Sequence, residues 1–295
     1  MPEQKKQCRR LTLPDAVILA VLAGAVGFCL WRAAVGLNYH WRWESIPQYL
    51  LRYDAGSQSW RPGLLALGLI TTIRLSLWAG VLATLAGLAM GLFRVSPSLF
   101  RRQVAATYVG LIRNTPPLVL VFIFYFFIGD QIMQLLCVGD CIHSLSPDTR
   151  DALSWLFGPM GRFPQFMSAI LTLALFEGAY IAEIVRAGVE SVETGQWEAS
   201  TALGMSRGQA LRHVVLPQAL TRMLPALAGQ FISIVKDSAI VSVISIEELT
   251  FQGQQIMTTT YLSFEVWITV FVLYFVLTFL CSLAVRRLEL GLKRR

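Results

Sequence analysis

The chain has 295 residues, 55% of them hydrophobic and 15% charged, with a net charge of +7. The apolar residues come in long runs, which excludes a soluble enzyme and makes this a membrane protein. Lys and Arg cluster at the ends of those runs, where they face anionic lipid and not nucleic acid, and no Gly-x4-Gly-Lys-Ser/Thr motif is present to cradle ATP phosphates.

Residues 1–13 are basic, with Lys5, Lys6, Arg9 and Arg10, and an apolar run covers residues 14–31. A cleaved signal peptide competes with a membrane span here. No small-residue cleavage site follows, so an uncleaved span is expected. Residues 33–62 contain Pro47, Gly56 and Pro62 and predict an exposed linker. The second span is expected over 64–93. Within it Ala79, Ala83, Gly87 and Gly91 recur every four residues and form a smooth face for close helix packing. The third span is expected over 103–128, with Pro116 and Pro117 near its middle. A polar loop with Asp130, Asp140, Asp148 and Asp151 is expected over 130–164. The fourth span covers about 166–185 and the fifth about 223–244. After Glu247 and Glu248 a polar loop leads to a sixth span over about 264–285, and the chain ends in a basic tail, 291–295.

Six spans put both termini on one side. Lys and Arg number sixteen in the segments on that side, against five (Arg42, Arg52, Arg61, Arg150 and Arg162) on the other. The asymmetry predicts that both termini and the loop at 190–217 are cytoplasmic.

That loop is amphipathic although spans flank it. Trp197, Glu198, Ala199, Thr201, Ala202 and Leu203 suit a short helix, Gly204 and Gly208 let it end and turn, and Pro217 opens a new element. A short helix held between two spans is a lever for a soluble partner. Glu198-Ala199-Ser200, Gly204 and Leu216-Pro217 resemble the EAA loop of ABC importer permeases, with Ser200 in place of the usual second Ala. The stretches 71–77 (Thr-Thr-Ile-Arg-Leu-Ser-Leu), 113–118 (Arg-Asn-Thr-Pro-Pro-Leu), 179–188 (Ala-Tyr-Ile-Ala-Glu-Ile-Val-Arg-Ala-Gly) and 236–240 (Lys-Asp-Ser-Ala-Ile) resemble the polar amino-acid branch of these permeases, in the family's order.

The resemblance implies an all-α membrane protein of six transmembrane helices: a type I ABC importer five-helix core plus one extra N-terminal helix. It assigns residues 1–62 to a cytoplasmic N-terminus, the extra helix and an extracytoplasmic linker, and residues 63–290 to the transmembrane domain. It implies two ABC ATPase copies, which bind the ATP and Mg, and a second permease subunit, identical or related. It also implies an extracytoplasmic binding protein and an amino-acid substrate. This chain would bind no cofactor and make no chemical bond. Trp197, Glu198, Ala199, Ala202, Leu203 and Gly204 are the residues expected to dock on the ATPase. Another small solute, or a non-transporting scaffold or sensor subunit, is the alternative. Gln230, Ala239 and Glu177 depart from the family's usual residues and leave the substrate open.

Charge inside a span is costly, so it marks candidate sites. Arg113, Asn114 and Thr115 flank the Pro116–Pro117 break, where the carbonyls of Ile112 and Arg113 are expected to lose helical partners. Arg113 either contacts a substrate carboxylate or pairs with an acidic side chain. Glu183 and Arg186 lie on one helical face and suit a local ion pair. Glu177 either lines the path and meets a substrate cation or pairs with Arg74. Gln230 and Asp237 are seven residues apart and share a face. Lys236 points about 100° away from Asp237 and suits either the path or a contact across a subunit pair. Cys137 and Cys141 fall in an extracytoplasmic loop, where a small disulfide is possible and two free thiols are the alternative. His143 lies nearby, but three scattered ligands make no metal site. Cys29 and Cys281 are expected as buried apolar filler.

Overall fold

The computed structural model of the chain describes residues 13–36, 39–56 and 58–292. The basic residues at 5–10 and 293–295 lie outside that range, as does the side chain of Cys29. The chain divides into two units at Arg42. The first contains helix α1 (Leu13–Gly36), whose apolar stretch, Pro14–Phe28, is short. Among the described residues five helices, all in the second unit, are long and apolar enough to cross a membrane.

The second unit opens with a 3-10 turn (Trp43–Ser45), then α2 (Pro47–Leu50) and a hairpin of β1 (Leu51–Asp54) with β2 (Ser59–Pro62), paired antiparallel from Leu51–Pro62 to Asp54–Ser59. The expected linker is therefore ordered. Tyr53 and Trp60 are directly opposed, with ring centroids 5.4 Å apart, and Arg61 bridges Asp54 at 3.2 Å. Such cross-strand pairs stabilise a hairpin that hydropathy alone reads as loop.

Helix α3 (Leu64–Arg94) follows the expected second span. The expected third span is divided. Helix α4 (Leu99–Arg113) ends at the break, and α5 (Pro117–Ile123) restarts at the second proline, passes through a wide π turn (Phe124–Gly129) and enters α6 (Asp130–Leu135). The apolar stretch of this region is Pro117–Leu135. Of the two carbonyls expected to lose their helical partners, that of Ile112 is recaptured. The Asn114 amide donates to Gly110 O at 2.9 Å, the Thr115 hydroxyl to Leu111 O at 2.7 Å, and the Thr115 N–H to Ile112 O at 3.4 Å. Short polar side chains thus finish the helix that the prolines interrupt.

The polar stretch at 130–164 is helical too, as α6, α7 (Val138–His143) and α8 (Pro147–Phe157), the last capped by Ser146. Helix α9 (Phe163–Glu190) is the hub of the unit: 72% of its most apolar stretch is buried, against 11% for the last helix, α14 (Ser263–Leu292). The small-residue face of α3 packs on it as expected. Ala79 and Ala83 are fully buried, and a Cβ at Gly91 would lie 2.8 Å from Ala182 O. The two backbones approach this closely because neither Gly87 nor Gly91 carries a side chain.

Beyond α9 come α10 (Thr194–Ala202), α11 (Arg207–Ala210), a π turn (Leu211–Val215), α12 (Leu216–Asp237) and a 3-10 segment (Ser238–Ile244). The expected polar loop after Glu248 is α13 (Leu249–Thr260). Its N-cap Glu248 is fully buried. The carboxylate accepts from the Thr250 and Phe251 N–H groups at 2.8 Å and from the Tyr274 hydroxyl at 2.7 Å. Thr72 on α3 bonds the same carboxylate at 3.4 Å and accepts from the Leu249 N–H at 3.1 Å. One acidic side chain thereby ties α13 to α3 and α14.

Candidate functional site

Two polar assemblies stand out, joined by the same pair of helices. The first is the loop helix α10. It is tied to α12, where Gln218 donates to Gln196 at 3.1 Å, and just before it Arg222 of α12 donates to the Ser191 carbonyl at the end of α9. Trp197 is half-buried beneath the Arg207 guanidinium, 5.6 Å from the ring centroid. Ser200 faces inward, 3% exposed, and bonds Gln196 O at 2.6 Å. Only a small side chain fits that inner position, so the Ala-to-Ser departure in the motif costs little.

Glu198, Ala199, Ala202, Leu203 and Gly204 are all exposed, and Leu203 is 78% exposed. Gly204 has φ +78, a conformation that favours glycine and lets the chain turn sharply into α11. Ser206 and Gln209 then form a reciprocal cap. The result is a braced helix presenting an apolar and acidic face to solvent, beside a cavity of about 460 Å³ lined by Trp197, Thr201, Met205 and Arg207. Of the six residues singled out in this loop, Trp197, Glu198, Ala199 and Ala202 lie on α10, Leu203 caps it and Gly204 follows.

The second assembly lies between α9 and α12. Glu177 is fully buried, and its Oε2 accepts from the Gln230 amide. Its Oε1 has no hydrogen-bond partner, and the Asp237 carboxyl is near enough to interact with it. Gln230 and Asp237 share a face of α12, as their spacing requires, with buried Ile234 between them. The Arg74–Glu177 pair is not formed. Arg74 is level with Gln165 and Phe166, near the opposite end of α9 from α10. Lys236 is exposed and has no ion pair among the described residues. The cluster therefore has acidic side chains and an amide, with one buried acceptor open.

Arg113 belongs to a different network. It lies 3.9 Å from Glu183 and 5.8 Å from the Tyr180 ring centroid, and Arg94 is 3.6 Å from the same carboxylate. Arg186 bonds Glu183 and Glu190, so the expected local pair is one edge of a hub joining α3, α4 and α9. Asn114 and Thr115 spend their side chains on the helix end. The seven path candidates thus separate into a Glu177–Gln230–Asp237 cluster, an Arg113 network and an exposed Lys236. Cys137 and Cys141 are exposed free thiols, and the bridge between them is not formed. Cys281 is half-buried. No group of three or more metal-ligating side chains occurs among the described residues.

Sequence reasoning missed a third polar locus. Arg74, Arg162 and Glu247 line a cavity of about 370 Å³ near the start of α9. An arginine inside the apolar run of α3 was the available signal.

Residues 79–294 match the family described as binding-protein-dependent transport system inner membrane component. The chain is 36% identical over 229 residues to the glutamine transport system permease protein GlnP of Escherichia coli (strain K12), covering 76% of this chain and 93% of the relative. It is 31% identical over 224 residues to the L-cystine transport system permease protein TcyL of Bacillus subtilis (strain 168), covering 74% and 84%. A chain in the crystal structure of an amino acid ABC transporter with histidines superposes with a TM-score of 0.63 at 32% identity, over 85% of this chain and 99% of that one. A chain of the inward-facing MetNI methionine ABC transporter shares the fold, with a TM-score of 0.58 at 24% identity over 77% and 95%.

Proposed function

We propose a working cycle from one premise: the chain belongs to the family of binding-protein-dependent transport system inner membrane components and is the transmembrane subunit of an ABC importer for amino acids. As a multi-pass permease of that kind it works with a separate ATPase and a substrate-binding protein. The finer points are our own reading. The charge asymmetry of the loops supports cytoplasmic termini and a cytoplasmic α10. Residues 63–290 form the transport domain, and α1 adds a sixth crossing. Two ATPases, which hold the ATP and Mg, and a second permease subunit complete the assembly.

One observation carries the mechanism: α10 is hydrogen-bonded to α12 through Gln196 and Gln218, and α12 holds Gln230 and Asp237 against Glu177 of α9, the helix from which α10 follows in the chain. When ATP closes the ATPases, the exposed face from Glu198 to Gly204 moves with them. The Gln218–Gln196 bond passes that motion to α12, which opens and closes the surroundings of the acidic cluster. Substrate then meets each side of the membrane in turn. The open acceptor of Glu177 suits a substrate ammonium or a cationic side chain.

The test is ATP-driven uptake of labelled amino acids in proteoliposomes containing the chain, its ATPase and its binding protein. Glu198→Arg and Leu203→Asp are expected to fold, to copurify poorly with the ATPase and to lose uptake. Normal uptake by both would remove this face from the coupling contact. Glu177→Gln is expected to assemble and to lose transport, and unchanged transport would remove Glu177 from the path.

A further inference from the structure

The cavity near the start of α9 shares no residue with the Glu177 cluster. Its volume, about 370 Å³, is that of a small-molecule site. Four parts of the chain build it. Helix α3 supplies Arg74, the π turn supplies Tyr125, the start of α9 supplies Arg162 and Phe166, and the segment after the 3-10 turn supplies Glu247. Two left-handed residues shape the rim: Gly158, with φ +87, and Ser245, with φ 62. Arg162 and Glu247 are ion-paired with each other. Arg74 is half-buried and makes no ion pair or hydrogen bond among the described residues.

The charges on the wall do not balance. Two guanidiniums face one carboxylate, and the surplus cation lies inside the apolar run of α3. A lone charge there is tolerated when a counter-ion visits it. A simple anion would satisfy Arg74 alone. A zwitterion also uses Glu247, whose carboxylate has acceptor capacity beyond Arg162. Phe157, Phe166 and Ile244 give the apolar remainder of such a molecule a surface.

We propose that this cavity is a second amino-acid subsite. It takes the substrate α-carboxylate on Arg74 and the α-ammonium against Glu247, at the far end of α9 from α10, before the substrate reaches the Glu177 cluster. The inference rests on the amino-acid reading above and adds a site to it. A planar guanidinium grips a carboxylate with two parallel hydrogen bonds, so arginine at this position selects the group common to all amino acids. Side-chain choice is left to the cluster and to the binding protein.

The test uses the permease–ATPase complex in lipid nanodiscs without binding protein. Binding of labelled L-glutamine and L-arginine is measured alongside their uptake by the complete transporter in proteoliposomes. Arg74→Gln is expected to weaken binding roughly tenfold to a hundredfold, the loss of a charge-assisted hydrogen-bonded pair, and Arg74→Lys to recover part of it. Glutaminamide, which lacks the carboxylate, is expected to bind the wild type as weakly as glutamine binds Arg74→Gln. In Glu177→Gln the remaining binding is expected still to require Arg74. If Arg74→Gln assembles and binds like the wild type, or if glutaminamide binds as well as glutamine, the subsite is refuted. The amide comparison needs no variant and decides the matter if Arg74→Gln fails to assemble. Uptake of an amino acid without measurable binding also refutes the subsite while sparing the transport reading. A complete transporter that hydrolyses ATP but takes up no amino acid refutes the transport reading, and the subsite with it.

Discussion

Replacing Gly91 by Ala tests the packing of α3 on the hub helix α9. A Cβ there would lie 2.5 Å from the Val185 Cβ and 2.8 Å from the Ala182 carbonyl oxygen. The oxygen belongs to a helix backbone and cannot swing away, so the helices must separate. Overpacking of this kind costs about 1–3 kcal/mol. Alanine also favours a helix over glycine by about 1 kcal/mol, which partly offsets the clash. Gly110 supplies the control. It is helical too, but nothing lies within 4 Å of its added Cβ. The propensity gain is common to both positions, so the difference between the two variants isolates the packing. Gly110→Ala is expected to stabilise the protein by about 1 kcal/mol. Gly91→Ala is expected to fall about 1–3 kcal/mol below it. Thermal unfolding in one detergent, scanned at one rate, reads the order directly. A melting temperature for Gly91→Ala equal to or above that of Gly110→Ala would refute close backbone packing of α3 on α9.

Burial pushes the Glu248 carboxyl above its ordinary value of 4.5, against the hydrogen bonds from Thr250, Tyr274 and Phe251 that pull it down. The folded protein therefore holds this proton more tightly than the unfolded chain. Its contribution is complete below about pH 4.5 and declines as pH rises toward the raised folded value. Glu248→Gln is expected to flatten that part of the stability profile in thermal unfolding across pH, and an unchanged slope would exclude Glu248 as its source. Cys137 and Cys141 are expected to react with a membrane-impermeant maleimide without prior reduction, and equal labelling of the wild type and a Cys137→Ser/Cys141→Ser variant would show that they are bonded or shielded. Pro225 interrupts α12, and Pro225→Ala is expected to raise the melting temperature while slowing ATP-driven uptake. Faster uptake in that variant would place the flexing elsewhere.

The long helices α3, α9, α12 and α14 were legible because lipid demands long apolar runs, and the Ala79–Gly91 stripe was legible because its four-residue period survives in one dimension. The break at Pro116 was visible for the same local reason. Helix α13 was not. Leu249–Thr260 reads as polar, since Gln252 and several threonines interrupt its apolar residues. What orders it is Glu248, bonded to Thr72 across 176 residues of sequence and to Tyr274 on α14. The partner of Arg113 was legible only as a class of residue. That it is Glu183, already held by Arg186 and Arg94, depends on how α4 crosses α3 and α9. Arg74 appeared within a motif, and its cavity exists only because the start of α9 and the segment after the 3-10 turn meet beside it.

The distribution of regular and irregular backbone says which helix moves in the proposed cycle. Between α3 and α9 the contact is glycine against backbone, and the Glu183 hub clamps the same pair where α4 crosses it. Interlocked surfaces of that kind shift as one body or not at all. Helix α12 is built otherwise. It is entered through a π turn, carries Pro225 within it and leaves through a 3-10 segment. Each is a place where helical hydrogen bonding is already incomplete, so bending there breaks few bonds. Gly229, one residue before Gln230, meets nothing within 4 Å of an added Cβ, so that side of α12 is also unconstrained by packing. A push on α10 through Gln218 therefore reaches a helix able to yield, set against a partner that does not. The polar contact first altered by such a shift is the hydrogen bond from Gln230 to Glu177.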